Sequence, residues 1–388
     1  MKSLNTTNYS NRELLTLILI GITGSAAVSI LPFIINAFSF APELDVAQAS
    51  SIASIELLAL TVVSISYRFW RHWGTYKQQV VVGIALYCLG NFAIMLSSAD
   101  FIGLSVWRAV AGFGAGTASA VAFAAIARQR NPDGIFAILI FFQVLWSAAG
   151  SFFMPLIMEL FDWTMAFAYM LIFGLVALLY AIFYIPDLTA EYDPASTDVY
   201  SATWIRKAVI LAASIIWYIA LGLFWGNSAQ TGTTIGVSPI VLGAIFSFGY
   251  LVSLSGNGIA LWLSRYYSRQ LPLIISGLLH GAVYWMFSSP EANTNIPTYL
   301  IAVLLFCLTW AVFTPFQIGM FSELQSDGAF ATTFLPSSIT GILIGTAIGP
   351  FLGEEAKLWL ALGSIITCLI IYQAHYHTKL IPAVTKPC

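Results

Sequence analysis

Long apolar stretches, each about as long as a bilayer-crossing helix, constrain this chain more than any other feature. The hydrocarbon core of a membrane is about 30 Å thick and takes roughly 20 apolar residues per helix. Of the 388 residues, 59% are hydrophobic and 8% are charged, whereas a soluble domain has about 25% charged residues. The stretches predict twelve spans, at 14–37, 47–67, 78–97, 102–127, 135–158, 164–185, 207–229, 238–263, 272–288, 297–320, 333–352 and 357–377.

The spans are predicted to be helices. Backbone polar groups inside lipid have to be satisfied within a helix or a closed barrel, and these stretches lack the alternation of barrel strands. The basic residues form no continuous patch, so nucleic acid is not an expected partner. The four cysteines share no ligand spacing, and no metal or cofactor is expected. The fold class is therefore an all-α membrane protein with twelve transmembrane helices.

The basic residues predict the orientation in the membrane. Alternate connections and the two termini together hold all of the Lys and Arg residues except Lys357 and Arg108. Basic residues concentrate in cytoplasmic loops. Both termini are therefore predicted to be cytoplasmic.

The sequence divides into two similar halves. A polar and acidic stretch near the middle of the chain predicts a linker at 187–205, between six-helix bundles at 1–186 and 206–388. A weak repeat supports this division, because Arg71 precedes Gly83 and Arg265 precedes Gly277 by the same interval, 194 residues apart along the chain. Related halves with a site between them are a common plan of secondary carriers.

Several short motifs resemble one transporter family. In the fourth span, "RAVAGFGAGTASA" carries Arg108, Gly112 and Gly116 in an R-x-x-x-G pattern typical of the major facilitator superfamily. The second-to-third connection, "YRFWRHWGTYKQ", resembles the family's G-x-x-x-D-R-x-G-R-R loop at Gly74 and Lys77. The stretches "FDWTMAF" and "ITGILIGTAIGPFLG" are also similar to the family.

The resemblance implies two pseudo-symmetric six-helix bundles in a bacterial inner membrane that transport a small organic solute by alternating access. The compact length and short linker are similar to the drug and metabolite efflux group, so export is favoured over uptake, and coupling to protons is expected. The alternative is an uptake symporter or a facilitative uniporter for a sugar or organic acid. No nucleophile with a nearby base is visible, so an enzyme is not expected. The expected partners are the solute, protons and membrane lipid, and a monomer is expected.

Two ionisable residues lie deep within predicted spans. Charges near the bilayer centre cost at least about 2.5 kcal/mol and usually serve a function. Glu56 in the second span and Arg108 in the fourth lie at similar depth, so their side chains are expected to meet. Three interpretations remain open: Glu56 carries the coupled proton beside Arg108, the two form a static ion pair, or Arg108 binds an anionic substrate.

Other polar or aromatic side chains at mid-span are candidates for substrate contact. A largely apolar cavity with a few amides and aromatic rings suits a small organic solute. Interfacial aromatic belts and amides that hydrogen-bond between helices are the competing structural explanation. The candidates are Gln143, Trp146, Trp225, Asn227, Tyr250, Asn257, Trp310 and Gln317.

Overall fold

The computed structural model describes residues 10–70, 72–98, 100–127, 132–185, 201–288, 295–325, 330 and 333–380. Within these ranges, twelve helices are long and apolar enough to cross a membrane. The predicted all-α fold with twelve spans is therefore confirmed. The α-helices are α1 (Asn11–Ser29), α2 (Leu31–Ser39), α3 (Val46–Trp70), α4 (Tyr76–Met95), α5 (Phe101–Ala127), α6 (Pro132–Leu160), α7 (Phe167–Tyr184), α8 (Trp204–Trp225), α9 (Ser228–Thr234), α10 (Pro239–Tyr266), α11 (Gln270–Ser288), α12 (Ile296–Ser322), α13 (Phe334–Ile348) and α14 (Glu354–Leu380).

The chain forms two compact units. Unit 1 comprises Met1–Ala195 and Trp225–Leu251, and unit 2 comprises Ser196–Phe224 and Val252–Cys388. The end of α8, all of α9 and the first part of α10 thus pack with the first six spans. The predicted linker at 187–205 lies outside the described residues as far as residue 200.

Glycines let helices of unit 1 approach closely. A Cβ atom at Gly112 of α5 would collide with the backbone carbonyl of Glu56 in α3, and one at Gly116 would lie 2.7 Å from the carbonyl oxygen of Leu60. Small residues at such contacts are typical of membrane helices, whose association depends on close packing. This contact brings the backbone of Glu56 next to α5.

The first span is interrupted between α1 and α2. Ile30 has φ −110° and ψ 21°, outside the helical region, and Pro32 follows at the start of α2. Proline cannot donate a backbone hydrogen bond and therefore interrupts the helical ladder. The amide of Phe33 instead bonds to the carbonyl of Ile30 at 2.9 Å, which releases the carbonyl of Ser29 from the helical pattern.

Unit 2 has its own glycine contacts and aromatic core. Cβ atoms at Gly341 and Gly345 of α13 would collide with backbone carbonyls of α8, so this face packs closely, as its small-residue pattern predicts. The rings of Trp217 and Phe313 stack with centroids 3.7 Å apart. At the start of unit 2, the amide of Ala202 donates to the carbonyl of Leu324 at 2.9 Å.

Candidate functional site

Glu56 and Arg108 form a buried ion pair inside unit 1. Arg108 Nη2 contacts Glu56 Oε2, and the two side chains are 1% or less exposed. The expectation that they meet is thus confirmed, and the reason is the close α3–α5 packing at Gly112. An ion pair out of contact with water has to compensate the desolvation of both charges.

Further groups fix the guanidinium in place. Arg108 Nη1 donates to Asn91 Oδ1 at 3.0 Å, and Asn91 Nδ2 in turn donates to the carbonyl of Tyr87 at 2.8 Å. The Arg108 guanidinium also lies over the Phe167 ring, 5.2 Å from its centroid. Helices α3, α4, α5 and α7 therefore all contribute to the environment of the pair.

The pair is incompletely satisfied. Among the described residues, Glu56 Oε1 and Arg108 Nε have no hydrogen-bond partner. Carboxylates in proteins usually accept bonds at both oxygens, and buried polar atoms without partners are uncommon. Glu56 thus has one oxygen held by Arg108 and a second that remains able to take up a proton.

A second polar cluster surrounds the break in the first span. Gln143 Nε2 of α6 donates to Ser29 Oγ at 3.2 Å. The Tyr250 hydroxyl of α10 donates to the released carbonyl of Ser29. Two of the predicted substrate residues are therefore brought together at Ser29, which connects α1, α6 and α10.

Of the other predicted substrate residues of unit 1, Trp225 contacts this cluster, and Trp146 and Asn227 have other partners. Trp225 contacts the rings of Tyr250 and Phe246, with centroids 5.9 Å and 5.3 Å away. The carbonyl of Trp146 accepts a 2.7 Å bond from the Tyr169 hydroxyl. Asn227, in the gap between α8 and α9, accepts a 3.3 Å bond from Ser50 Oγ at its Oδ1 atom.

The three remaining candidates belong to unit 2, and each is described by different neighbours. Gln317 is fully buried, and its Nε2 atom donates to the Tyr372 hydroxyl at 2.6 Å. Trp310 lies in α12, where its carbonyl accepts a 2.9 Å bond from the Thr314 hydroxyl. Asn257 lines a cavity of about 340 Å³ together with residues such as Arg269. Their role in substrate contact stays a prediction.

Ser29, Ser50 and Asn91 are polar contacts that were not identified from the sequence. Pro32, three residues after Ser29, is the signal that could have located the helix break. Asn91 is a polar residue within an apolar span, and its pairing with Arg108 depends on how α4 packs against α5. In the part of the chain that the structure describes, no three His, Cys, Asp or Glu side chains are grouped to hold a metal ion.

Among the described residues, twelve helices long and apolar enough to cross a membrane, with a buried charge pair, define a multi-span membrane protein. A sequence profile of the Major Facilitator Superfamily matches residues 14–350. The chain therefore belongs to the major facilitator superfamily, and the protein is a transporter of the secondary type rather than an enzyme.

Solved structures of transporters share this fold. A D-xylose-proton symporter superposes with a TM-score of 0.73 at 13% identity, covering 97% of this chain and 99% of that chain. The peptide transporter POT in complex with sulfate gives a TM-score of 0.71 at 12% identity, covering 94% of each chain. No curated protein matches this chain by sequence. At these identities the likeness shows the fold alone.

Proposed function

We propose that the protein is a proton-coupled transporter of a small organic solute that works by alternating access, with Glu56 as the proton-carrying group. Arg108 stabilises the charged carboxylate, and uptake of a proton by Glu56 weakens the pair. The attraction between α3 and α5 is then weaker, so the two helices can move relative to each other. Proton uptake is thereby coupled to movement. Export is the preferred direction, on the compact length and the short linker.

The observation that most directly supports this proposal is the fully buried Glu56–Arg108 pair. Among the described residues, Glu56 Oε1 has no hydrogen-bond partner. A static pair would gain from bonding both oxygens, because each unmatched buried polar atom costs free energy. A proton carrier instead needs an oxygen on which the proton can sit. The D-xylose-proton symporter that shares the fold is named for the same coupling ion.

Replacing Glu56 with Gln tests the proposal in proteoliposomes. The amide has nearly the shape of the acid but cannot carry a proton, so accumulation driven by a pH gradient should be lost while solute counterflow continues. Glu159→Gln is the matched control, because Glu159 lies at the exposed end of α6. Uphill transport that persists in Glu56→Gln would refute the role of Glu56.

The alternative is an uptake symporter for a sugar or organic acid, or a facilitative uniporter for such a solute in which the ion pair is structural. The bond from Arg108 to Asn91 and its contact with Phe167 favour that alternative, because they immobilise the guanidinium. Counterflow without any response to a pH gradient, in the unmodified protein, would support the uniporter. An anionic substrate at Arg108 is less favoured, because Glu56 already neutralises the guanidinium.

The proposal includes a location and partners. We place the protein in a bacterial inner membrane with both termini in the cytoplasm, on the distribution of the basic residues. It acts as a monomer, with lipid around the spans and a proton as the coupling ion. The six-helix halves are proposed at 1–186 and 206–388, joined by a linker at 187–205.

A further inference from the structure

Two membrane-spanning segments are broken, and the breaks lie at corresponding positions of the two sequence halves. Helix α1 ends at Ser29 and α2 begins at Leu31, while α8 ends at Trp225 and α9 begins at Ser228. The last residues of α1 and α8, Ser29 and Trp225, lie 196 residues apart, close to the 194-residue offset of the sequence repeat. In transporters built from repeated halves, paired interruptions mark the binding site because unwound backbone exposes polar groups there.

The two breaks are connected through one side chain of unit 1. The Tyr250 hydroxyl donates to the Ser29 carbonyl at the first break, and its ring lies 5.9 Å from the Trp225 ring at the second. A carbonyl that the helix does not use is a strong acceptor, and it needs a donor when buried. Tyr250 is therefore an internal donor at a position that a solute hydroxyl or amide could also occupy.

The side chains in the hydrogen bonds described at the breaks are neutral. Ser29, Gln143 and Tyr250 meet at the first break, and Ser50 and Asn227 meet at the second. A charged solute would lose its hydration there without gaining an opposite charge, which is strongly unfavourable. The deep charges of Glu56 and Arg108 are already paired with each other.

Two donors that lack a partner in the described part of the chain, one at the second break and one on α6 three residues after Gln143, point to a ligand that carries acceptors. Among the described residues, Asn227 Nδ2 and Trp146 Nε1 have no hydrogen-bond partner, and Trp146 is 8% exposed. Buried donors are rarely left unpaired in native proteins. Hydroxyl or amide oxygens would satisfy such donors, and the indole rings offer apolar faces to the rest of a solute.

We propose that the paired breaks form the substrate site, that Ser29 contacts the substrate through its backbone carbonyl, and that the substrate is a neutral solute carrying hydroxyl or amide groups. In the present conformation the Tyr250 hydroxyl donates a hydrogen bond to the Ser29 carbonyl. When the solute binds, a donor of the solute replaces the Tyr250 hydroxyl. Gln143 holds Ser29 in place from α6. The inference rests on the proposed function as a carrier but does not depend on proton coupling.

Thermal-shift measurements on the purified full chain test the inference with five compounds. D-xylose and myo-inositol are neutral and hydroxylated, nicotinamide is a neutral amide, succinate is an anion and tetraethylammonium is a cation. We expect at least one of the neutral compounds to raise the melting temperature, since a ligand that binds the folded state stabilises it. The two charged compounds should leave the melting temperature unchanged.

Two substitutions separate a binding role from a structural one. Gln143→Leu should weaken binding of the neutral compound about tenfold, as loss of one positioned hydrogen bond does. Tyr250→Phe should strengthen it, because the solute no longer competes for the Ser29 carbonyl. Ser25→Ala is the matched control, because Ser25 Oγ bonds only locally, to the carbonyl of Ile22 at 3.2 Å. Melting without ligand checks that each variant folds, and Gln143→Asn replaces Gln143→Leu if the latter does not.

The inference is overturned if a charged compound gives the largest stabilisation, if no neutral compound binds, or if binding is insensitive to both substitutions. Failure of the proposed function has a different signature. In that case a neutral compound binds and exchanges in counterflow, but a pH gradient does not drive its accumulation.

Discussion

Arg108 has no exposed surface, yet its guanidinium contacts Glu56, Asn91 and the Phe167 ring. Removing one member of a buried ion pair leaves the other charge without compensation, whereas removing both charges is often tolerated. The same contacts therefore have different consequences for stability and for transport. Only variants that separate the two properties can assign the role of the pair.

Arg108→Gln should destabilise the protein by roughly 3–5 kcal/mol, because Glu56 is left as an uncompensated buried charge. The double variant with Glu56→Gln should recover much of that loss. Unfolding of both variants in detergent, combined as a double-mutant cycle, measures the coupling. Additive effects would contradict an energetic interaction between the two residues.

The pH profile of the same Arg108→Gln variant reports on function. A carboxylate that loses a nearby cation holds its proton to higher pH, so the pH at half-maximal transport should rise. A purely structural pair predicts less active protein with an unchanged profile.

Helices α3 and α5 depend on glycine for their close contact. Gly112 lies against the backbone of Glu56, and Gly116 lies against that of Leu60, at a spacing of one helical turn. The glycines of this R-x-x-x-G pattern thus place the ion pair by setting the distance between two helices. The pattern itself was visible in the sequence.

Gly112→Ala should destabilise the protein by roughly 1–3 kcal/mol or more, because the added methyl group meets backbone atoms that cannot rotate away. Gly258→Ala in α10 is the matched control, since nothing lies within 4 Å of the place that its added methyl group would take. That control should be neutral or stabilising by up to about 1 kcal/mol, from helix propensity. Equal melting temperatures for the two variants would contradict the close contact.

Asp162, between α6 and α7, caps the turn that leads into α7. Its Oδ1 atom accepts bonds from the Thr164 hydroxyl at 2.5 Å, the Thr164 amide at 2.7 Å and the Met165 amide at 3.2 Å. The Thr164 side-chain bond, with the two backbone bonds, lowers the pKa of Asp162 below its ordinary value of 3.8, although partial burial opposes the shift.

The stabilisation from Asp162 is present above about pH 4 and is lost as the pH falls through its lowered folded-state pKa. Asp162→Ala should therefore cost about 0.5–2 kcal/mol at neutral pH, typical of a lost helix cap. The difference from the unmodified protein should shrink in acid. Melting curves at neutral and acidic pH measure it, and a constant difference would contradict the capping role.

For the whole molecule, the two compact units do not follow the two halves of the sequence. Trp225–Leu251 belongs to unit 1, although it follows the predicted linker and lies in the second half of the chain. The helix break between α8 and α9 falls at the point where the chain changes unit. The proposed six-helix halves therefore exchange contacts through the segment that carries Asn227 and Tyr250.

The connection between the halves should tolerate insertion between Tyr192 and Thr197, because its composition is polar and acidic. An insertion at Ser201 should not be tolerated, because Ser201 pairs with Gln325 and accepts a 2.8 Å bond from Lys207 Nζ. A six-residue Gly-Ser insertion at each place, scored by melting temperature and counterflow, tests this. Loss of folding from the earlier insertion would contradict the prediction.

The sequence by itself determined the number of spans, their approximate ends and the family. Bilayer thickness sets the length of each apolar stretch, and the cost of burying charge keeps charged residues out of it. Both effects are visible within a short stretch of sequence. It also identified Glu56 and Arg108, because charges are rare in such spans. Only the tertiary structure decided that Asn91 and Phe167 complete the environment of Arg108, that Ser29 meets Gln143 and Tyr250, and that Trp225–Leu251 packs with unit 1. These contacts join residues far apart in the chain, and their geometry depends on helix breaks and on close glycine contacts that hydropathy does not encode.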